Sequence, residues 1–276
     1  MFAQNYRLST IAAAAVIVAM AAVAPDAGAK CSREINVPVS ATGQSVTIVD
    51  GNISGIYPEI LRSFGSKEAC SFNFSDVPRS RLEVLFNTGK ADLLIPASRT
   101  PARDKYGIFI PLVFNRATII SIDINHPVIK TAQELLDHKE LKVVLVRGYD
   151  YGDAYQALVK ELNKQGRVIL EADPVSVARM LKANTTHITI MAPSIFVGAI
   201  KDNDRAKDIL DKLRYEPIEE LPWGDSGVYI SKSSLSEEDK ASLKDLLQRA
   251  EKSGAVWKSF QSHYAADILK ESIRPR

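Results

Sequence analysis

From residue 30 onward the chain alternates between two hydrophobic periods. Ile35, Val37 and Val39 alternate with polar neighbours, and Val46 to Val49 resume the run, so residues 35–49 are expected to be extended. Asp50-Gly51-Asn52 marks a turn. Pro58 suits the first position of a helix reaching about Gly65, with Ile60, Leu61 and Phe64 on one face. Phe72 and Phe74 form a short strand. A helix then starts near Arg79, sets Leu82, Leu85 and Phe86 at core spacing, and stops at Gly89. Ala91 to Ile95 is a compact apolar run entered directly from that helix, which predicts a buried parallel strand.

The alternation continues to the end. Thr131 and Glu134 have capping-box spacing, ahead of a strand over Lys142 to Val146. Asp173-Pro174 is a cap and first-turn pair for a helix carrying Val177, Met180 and Leu181, and Ile188 to Met191 is another buried strand. Ser236 caps a long helix to about Arg249, and a further helix follows Gly254. With no internal repeat, this order predicts α/β architecture.

The first 29 residues follow a different rule. Arg7, the apolar stretch Ile11 to Val23 and the small-residue pattern Ala27-Gly28-Ala29 read as a cleaved signal peptide over 1–29. The stretch is shorter than the roughly 20 apolar residues that span a bilayer; an uncleaved N-terminal anchor is the alternative. Lys30 before Cys31 argues against a lipid anchor, which requires a small residue there. Export places the product in the periplasm, where an isolated pair such as Cys31 and Cys70 is expected to form a disulfide. A net charge of +2 with 25% charged residues of both signs interspersed leaves no basic stripe for nucleic acid.

A series of short motifs then acquires meaning through its order. Gly55-Ile56-Tyr57-Pro58-Glu59-Ile60 is followed by Arg81-Leu82 and then Gly89-Lys90-Ala91-Asp92-Leu93-Leu94-Ile95. Next come Thr100-Pro101-Ala102-Arg103, Phe109-Ile110-Pro111, and Glu134-Leu135-Leu136 leading to Val146-Arg147-Gly148. Tyr229-Ile230-Ser231-Lys232, Ser253-Gly254-Ala255-Val256-Trp257 and His263-Tyr264 close the series. The series resembles the family 3 extracellular solute-binding proteins, the receptors of polar amino-acid ABC transporters, over nearly the whole chain after residue 29. The resemblance implies a type II periplasmic-binding fold of two α/β lobes joined by two crossovers, near Phe114 to Thr118 and Pro222 to Val228. Lobe 1 would comprise 30–116 and 225–276, and lobe 2 would comprise 117–224. It also implies a monomer with no cofactor and no catalysis, which captures a small polar, carboxylate-bearing ligand by hinge closure and delivers it to a membrane permease.

Carried over residue by residue, the resemblance nominates Arg103 as the group that binds a ligand carboxylate, since a guanidinium offers two parallel donors. The competing reading pairs Arg103 with Asp104 or Asp92 at the surface. Ser98 and Thr100 add donors from the same loop. Across the cleft, Gly148, Tyr149, Asp150 and Tyr151 lie between a strand and a helix, where the family holds an anion on backbone N–H groups. Here Tyr149 and Asp150 replace the usual small hydroxyl residues, so they either touch the ligand or merely cap the helix and line a wall. Arg79 and Arg81 follow Pro78 at a helix start, where the family places an aromatic platform. They either make the cleft more cationic or are solvated at the helix end. The acid that holds a ligand ammonium is missing: residues 186–193 contain no Asp or Glu, and the expected position falls near Ala192. Either Asp150 substitutes, or the ligand carries no α-ammonium.

Catalytic signals are weak beside this. Gly224-Asp225-Ser226-Gly227 copies part of a serine-protease signature, but His126, His138, His187 and His263 sit in no partner motif, and hinge segments also favour glycine. HExxH, CxxC, Walker and GxGxxG patterns are absent, so neither metal nor nucleotide chemistry is expected. Two alternatives remain: a cyclohexadienyl-type dehydratase on the same fold, with Asp150 or His187 as proton donor, or a receptor that signals to a membrane partner.

Overall fold

The computed structural model describes residues 1–2, 30–122 and 127–276. The expected signal peptide and His126 lie outside the described residues.

The first lobe begins with β1 (Ile35–Val39), β2 (Thr47–Val49), β3 (Asn52–Ser54), α1 (Ile56–Gly65) and β4 (Phe72–Asp76). It continues through α2 (Arg79–Asn87), β5 (Leu93–Ser98), α3 (Pro101–Asp104) and β6 (Gly107–Asn115). The second lobe runs from β7 (Thr118–Ser121) through α4 (Ala132–Asp137), β8 (Lys142–Val146), α5 (Asp153–Lys164) and β9 (Val168–Glu171). Then follow α6 (Pro174–Ala183), β10 (His187–Met191), α7 (Pro193–Ile200) and β11 (Arg214–Glu216). The chain returns to the first lobe at β12 (Gly224–Ser231) and ends with α8 (Glu237–Lys252), α9 (Ala255–His263), α10 (Ala266–Ser272) and β13 (Ile273–Arg274).

Two sheets follow from this path. The first has the order β13-β6-β12-β5, and β1, paired in parallel with β4, flanks it through the Asp92 N–H bond to the Asn36 carbonyl at 2.9 Å. The second has the order β11-β7-β10-β8-β9. Its central strands are largely apolar because both faces are covered, and the polar Thr118, Ser121 and Thr189 among them are fully buried. Val143, Leu145, Ile188 and Ile190 pack with Leu135, Leu158 and Leu162 of α4 and α5. Val144, Val146 and Met191 point the other way, into a core with Val177 and Leu181 of α6 and Phe196 of α7.

Local chemistry sets the element ends. Thr131, Asp173 and Ser236 cap α4, α6 and α8 through their side-chain oxygens. The Glu134 carboxylate reaches the Lys130 N–H rather than that of Thr131, so only half of the expected capping box forms. Arg167, almost fully buried, spends its guanidinium on the carbonyls of Leu135, Leu136 and Leu141 at the end of α4, a favourable place for a cation. The expected disulfide joins Cys31 to Cys70 and closes a sequence separation of 39 residues.

Three expectations need correction. α1 begins at Ile56 behind Gly55, so Pro58 occupies the third helical position rather than the first. Residues 35–49 are not one extended run: β1 ends at Val39, and residues 40–46 form a tight loop with bridges from Thr42 to Gln44 and Val46. Finally, the ladder of β5 with β12 is antiparallel, because β12 enters from the other lobe and runs back against it.

Candidate functional site

The chain leaves the first sheet at Asn115, enters the second at Thr118, and comes back between Glu216 and Gly224. The lobes therefore face each other across short connections, and their loops meet. The Gly198 backbone of α7 touches the first lobe: the Gln44 amide donates to the Gly198 carbonyl at 3.1 Å. A Cβ on Gly198 would lie 2.5 Å from the Tyr264 hydroxyl and 2.7 Å from the Gln44 nitrogen. At the other end of that contact, the Ser194 N–H and hydroxyl bond the buried Ser272 hydroxyl at 2.9 and 2.7 Å.

Between the lobes lies a narrow cleft, with about 480 Å³ of empty space counting the part open to solvent. The first lobe supplies Thr42 and Ser45 from the 40–46 loop, Tyr57 from α1, Arg79 from α2, and Ser98, Asn115 and Ser226 from strand ends. The second lobe supplies Tyr149, Asp150 and Tyr151 from the loop after β8, and Ala192 and Ser194 at the start of α7. A second hollow of about 580 Å³, lined by Arg99, Arg116 and Trp223 among others, shares Ser98, Asn115 and Tyr151 with the first and continues it towards the crossovers.

Arg79 dominates the electrostatics. It is the first residue of α2, and burial, aided by nearby Arg103, holds its guanidinium below its ordinary basicity. Its Nε donates a long 3.4 Å bond to the Gly148 carbonyl, its guanidinium lies 5.3 Å from the Tyr149 ring centre, and its buried Nη1 has no hydrogen-bond partner. The Tyr149 hydroxyl is also buried without a hydrogen bond of normal geometry, and burial pushes the Tyr57 and Tyr149 phenols up to about 12. The Tyr151 hydroxyl accepts from the Ala192 N–H at 3.1 Å. Tyr149, Tyr151 and Tyr155 form an edge-to-face series that stiffens this wall.

The nominated residues divide into two groups. Arg79, Ser98, Tyr149, Asp150 and Tyr151 line the cavity together, and Gly148 supports it from behind through Arg79. Gly148 has φ +87°, and its Cα lies against the Ser80 backbone, where a side chain would collide. Asp150 does not cap α5, since that position belongs to Gly152; its Oδ1 accepts from the Gly152 N–H at 2.8 Å. Arg103, Thr100 and Arg81 are outside the lining. The Arg103 guanidinium, 1% exposed, forks onto the Glu83 carboxylate at 3.2 and 3.1 Å and donates to the Ser98 carbonyl at 3.1 Å. Thr100 caps α3 through its hydroxyl and gives its N–H to the Tyr229 hydroxyl at 3.0 Å. Arg81 is exposed. His187 bonds the Met180 carbonyl away from the cavity, and no described histidine lines it. Among the described residues no cluster of ligating side chains suits a metal, and no helix is long and apolar enough to cross a membrane.

Sequence reasoning missed Thr42, Ser45, Tyr57, Asn115, Ser194 and Ser226. Ser226 belongs to the Gly-Asp-Ser-Gly stretch, whose place at a crossover was the available signal.

No family model and no curated protein sequence matches this chain. Solved structures do match in shape. The substrate-binding protein AbpA of an amino-acid ABC transporter from Streptococcus pneumoniae, bound to L-arginine, aligns over 86% of this chain and 95% of its own, with TM-score 0.65 and 19% identity. This chain has the type II periplasmic-binding fold. EhuB in complex with hydroxyectoine shares that fold, covering 86% of this chain and 91% of its own at TM-score 0.66 and 16% identity. So does a histidine kinase sensor domain with similarity to periplasmic binding proteins, covering 84% and 96% at TM-score 0.66 and 17% identity.

Proposed function

We propose that this protein is a periplasmic solute-binding protein that closes two lobes over a small polar ligand and hands it to the membrane permease of an ABC transporter. One observation carries the reading: a cavity between the lobes that mixes apolar side chains with hydroxyls from both of them and with an amide and a guanidinium from the first. A site divided in this way changes shape when the lobes move, so binding and closure are coupled. Among the solved neighbours, AbpA holds an amino acid and EhuB holds hydroxyectoine, which supports a compact polar solute here as well. The N-terminal signature read from the sequence supports export, and the disulfide fits an oxidising compartment.

The test is a thermal-unfolding screen of the chain from residue 30 onward against amino acids, organic acids and polyamines. A binder at one hundred times its Kd should add about 2.7 kcal/mol of stability and be recovered unchanged. A screen in which nothing stabilises the protein, or in which the stabilising compound is converted, would reject a binding role.

A further inference from the structure

We infer that Arg79 is the anchor for the ligand's anionic group, and that Arg103 is a structural residue withheld from the ligand by Glu83. The inference rests on the binding role proposed above and commits it to a ligand class, a small carboxylate.

The two guanidiniums differ in whether the protein already satisfies them. Arg79 and Glu83 sit one turn apart on α2, a spacing that brings side chains together on a helix face. Both Glu83 oxygens are nevertheless taken by Arg103, whose remaining contact is the Ser98 carbonyl. Arg103 is thus enclosed and paired, and it ties α2 to the loop carrying α3. Arg79 is left as the cationic residue in the cavity lining, and among the described residues it has no ion pair. Its protein contacts are one long bond to a carbonyl and the face of Tyr149.

A buried guanidinium with an unpaired N–H is costly unless an acceptor reaches it. The proximity of Arg103 adds repulsion that an anion would relieve. A carboxylate suits it, because a guanidinium can offer two parallel N–H donors and Nη1 has no partner in the protein. The opposite charge finds little here. Asp150 is the acid in the lining, and one of its oxygens already accepts from Gly152. The rest of the second-lobe wall is tyrosine, alanine, serine and isoleucine.

Acetate is the minimal probe, with methylammonium as its cationic counterpart, each titrated as the chloride- or sodium-balanced salt at fixed ionic strength while Tm is read. The expected result is a saturable rise with acetate and none with methylammonium. Arg79→Gln should weaken the acetate response at least about tenfold. Its own Tm should hold or rise, because an unpaired buried charge is removed; a merely structural arginine would lower it. Arg79→Lys should keep a weaker response, since the charge stays and the fork is lost. The double variant Arg103→Gln/Glu83→Gln, which removes the pair together so that no freed acid reaches Arg79, should lower Tm and leave the acetate affinity within about threefold. An acetate response that survives in Arg79→Gln overturns the assignment, as does wild-type protein that ignores acetate. A response abolished by that double variant would make Arg103 the anchor and leave the inter-lobe binding role standing. If acetate and the whole screening panel fail together, the binding role falls too.

Discussion

Replacing Arg103 by Ala separates two roles for that residue, ligand contact and internal support. The substitution deletes two bonds to Glu83, at 3.2 and 3.1 Å, and one to the Ser98 carbonyl at 3.1 Å. Breaking a fully buried ion pair by removing one partner costs about 3–5 kcal/mol. Glu83 is 33% exposed, however, and regains water when Arg103 leaves, which brings the expected loss down to about 2–3 kcal/mol. For a chain of this size each kcal/mol moves Tm by about 2–4 °C, so the drop should be about 4–12 °C. Scanning calorimetry of Arg103→Ala, Glu83→Ala and the double variant gives the pair's coupling directly, expected at about 1–3 kcal/mol. A Tm within about one degree of wild type, accompanied by lost ligand binding, would refute the reasoning and return Arg103 to the ligand.

Other perturbations probe the rest of the design. Gly198→Ala places a methyl group against the Gln44 backbone and the Tyr264 hydroxyl, so the lobes should close less fully and binding should weaken by about one to two orders of magnitude. Small-angle scattering should show a larger radius of gyration in saturating ligand; identical radius and affinity would exclude the contact as a closure surface. For Asp92, burial alone would raise the pKa, but bonds from Arg33, Ser234 and the Asn36 N–H outweigh it and hold the carboxyl below its ordinary value. Its stabilisation is therefore complete above the unfolded value of about 4 and is lost as pH falls through the lower folded value. Denaturant titrations should show Asp92→Asn less stable at pH 7, with a shallower decline below about pH 4; a parallel decline would remove Asp92 from the acid response. Reducing Cys31–Cys70 should cost about 4 kcal/mol on the chain-entropy model, read as a lower denaturation midpoint in dithiothreitol. An unchanged midpoint would show that the covalent link adds nothing.

The second lobe was the more legible half of the fold because its strands are covered on both faces. Predominantly apolar runs such as Lys142 to Val146 and Ile188 to Met191 have little choice but to be central strands between helices, and they are. The first lobe hid its geometry in long-range returns. Nothing within Ala91 to Ile95 says that its ladder partner lies some 130 residues later and arrives from the opposite lobe, so the strand direction was misjudged. The loop at 40–46 was lost inside an alternating pattern for a related reason: Thr42 and Ser45 fit the polar phase of a strand as well as they fit a cavity wall.

The arginines show a different limit. From the sequence, Arg79 and Arg103 differ only in the motifs around them, and the resemblance favours Arg103. What separates them is the allocation of a single carboxylate. Glu83 is four residues from Arg79 in the chain and twenty from Arg103, yet α3 carries Arg103 under Thr100 to where both carboxylate oxygens can be reached. Because Glu83 is turned onto Arg103, the other guanidinium is left without a carboxylate, and it lies where the lobes meet. Ligand specificity on this fold can therefore be redirected without touching the cavity wall. Glu83→Gln, one helical turn behind Arg79, would loosen Arg103 and give the cleft a second cation, and selection between monoanions and dianions should shift towards the latter. Competition titrations of acetate against malonate test that exchange, and an unaltered preference would show that Arg103 stays out of reach even when freed.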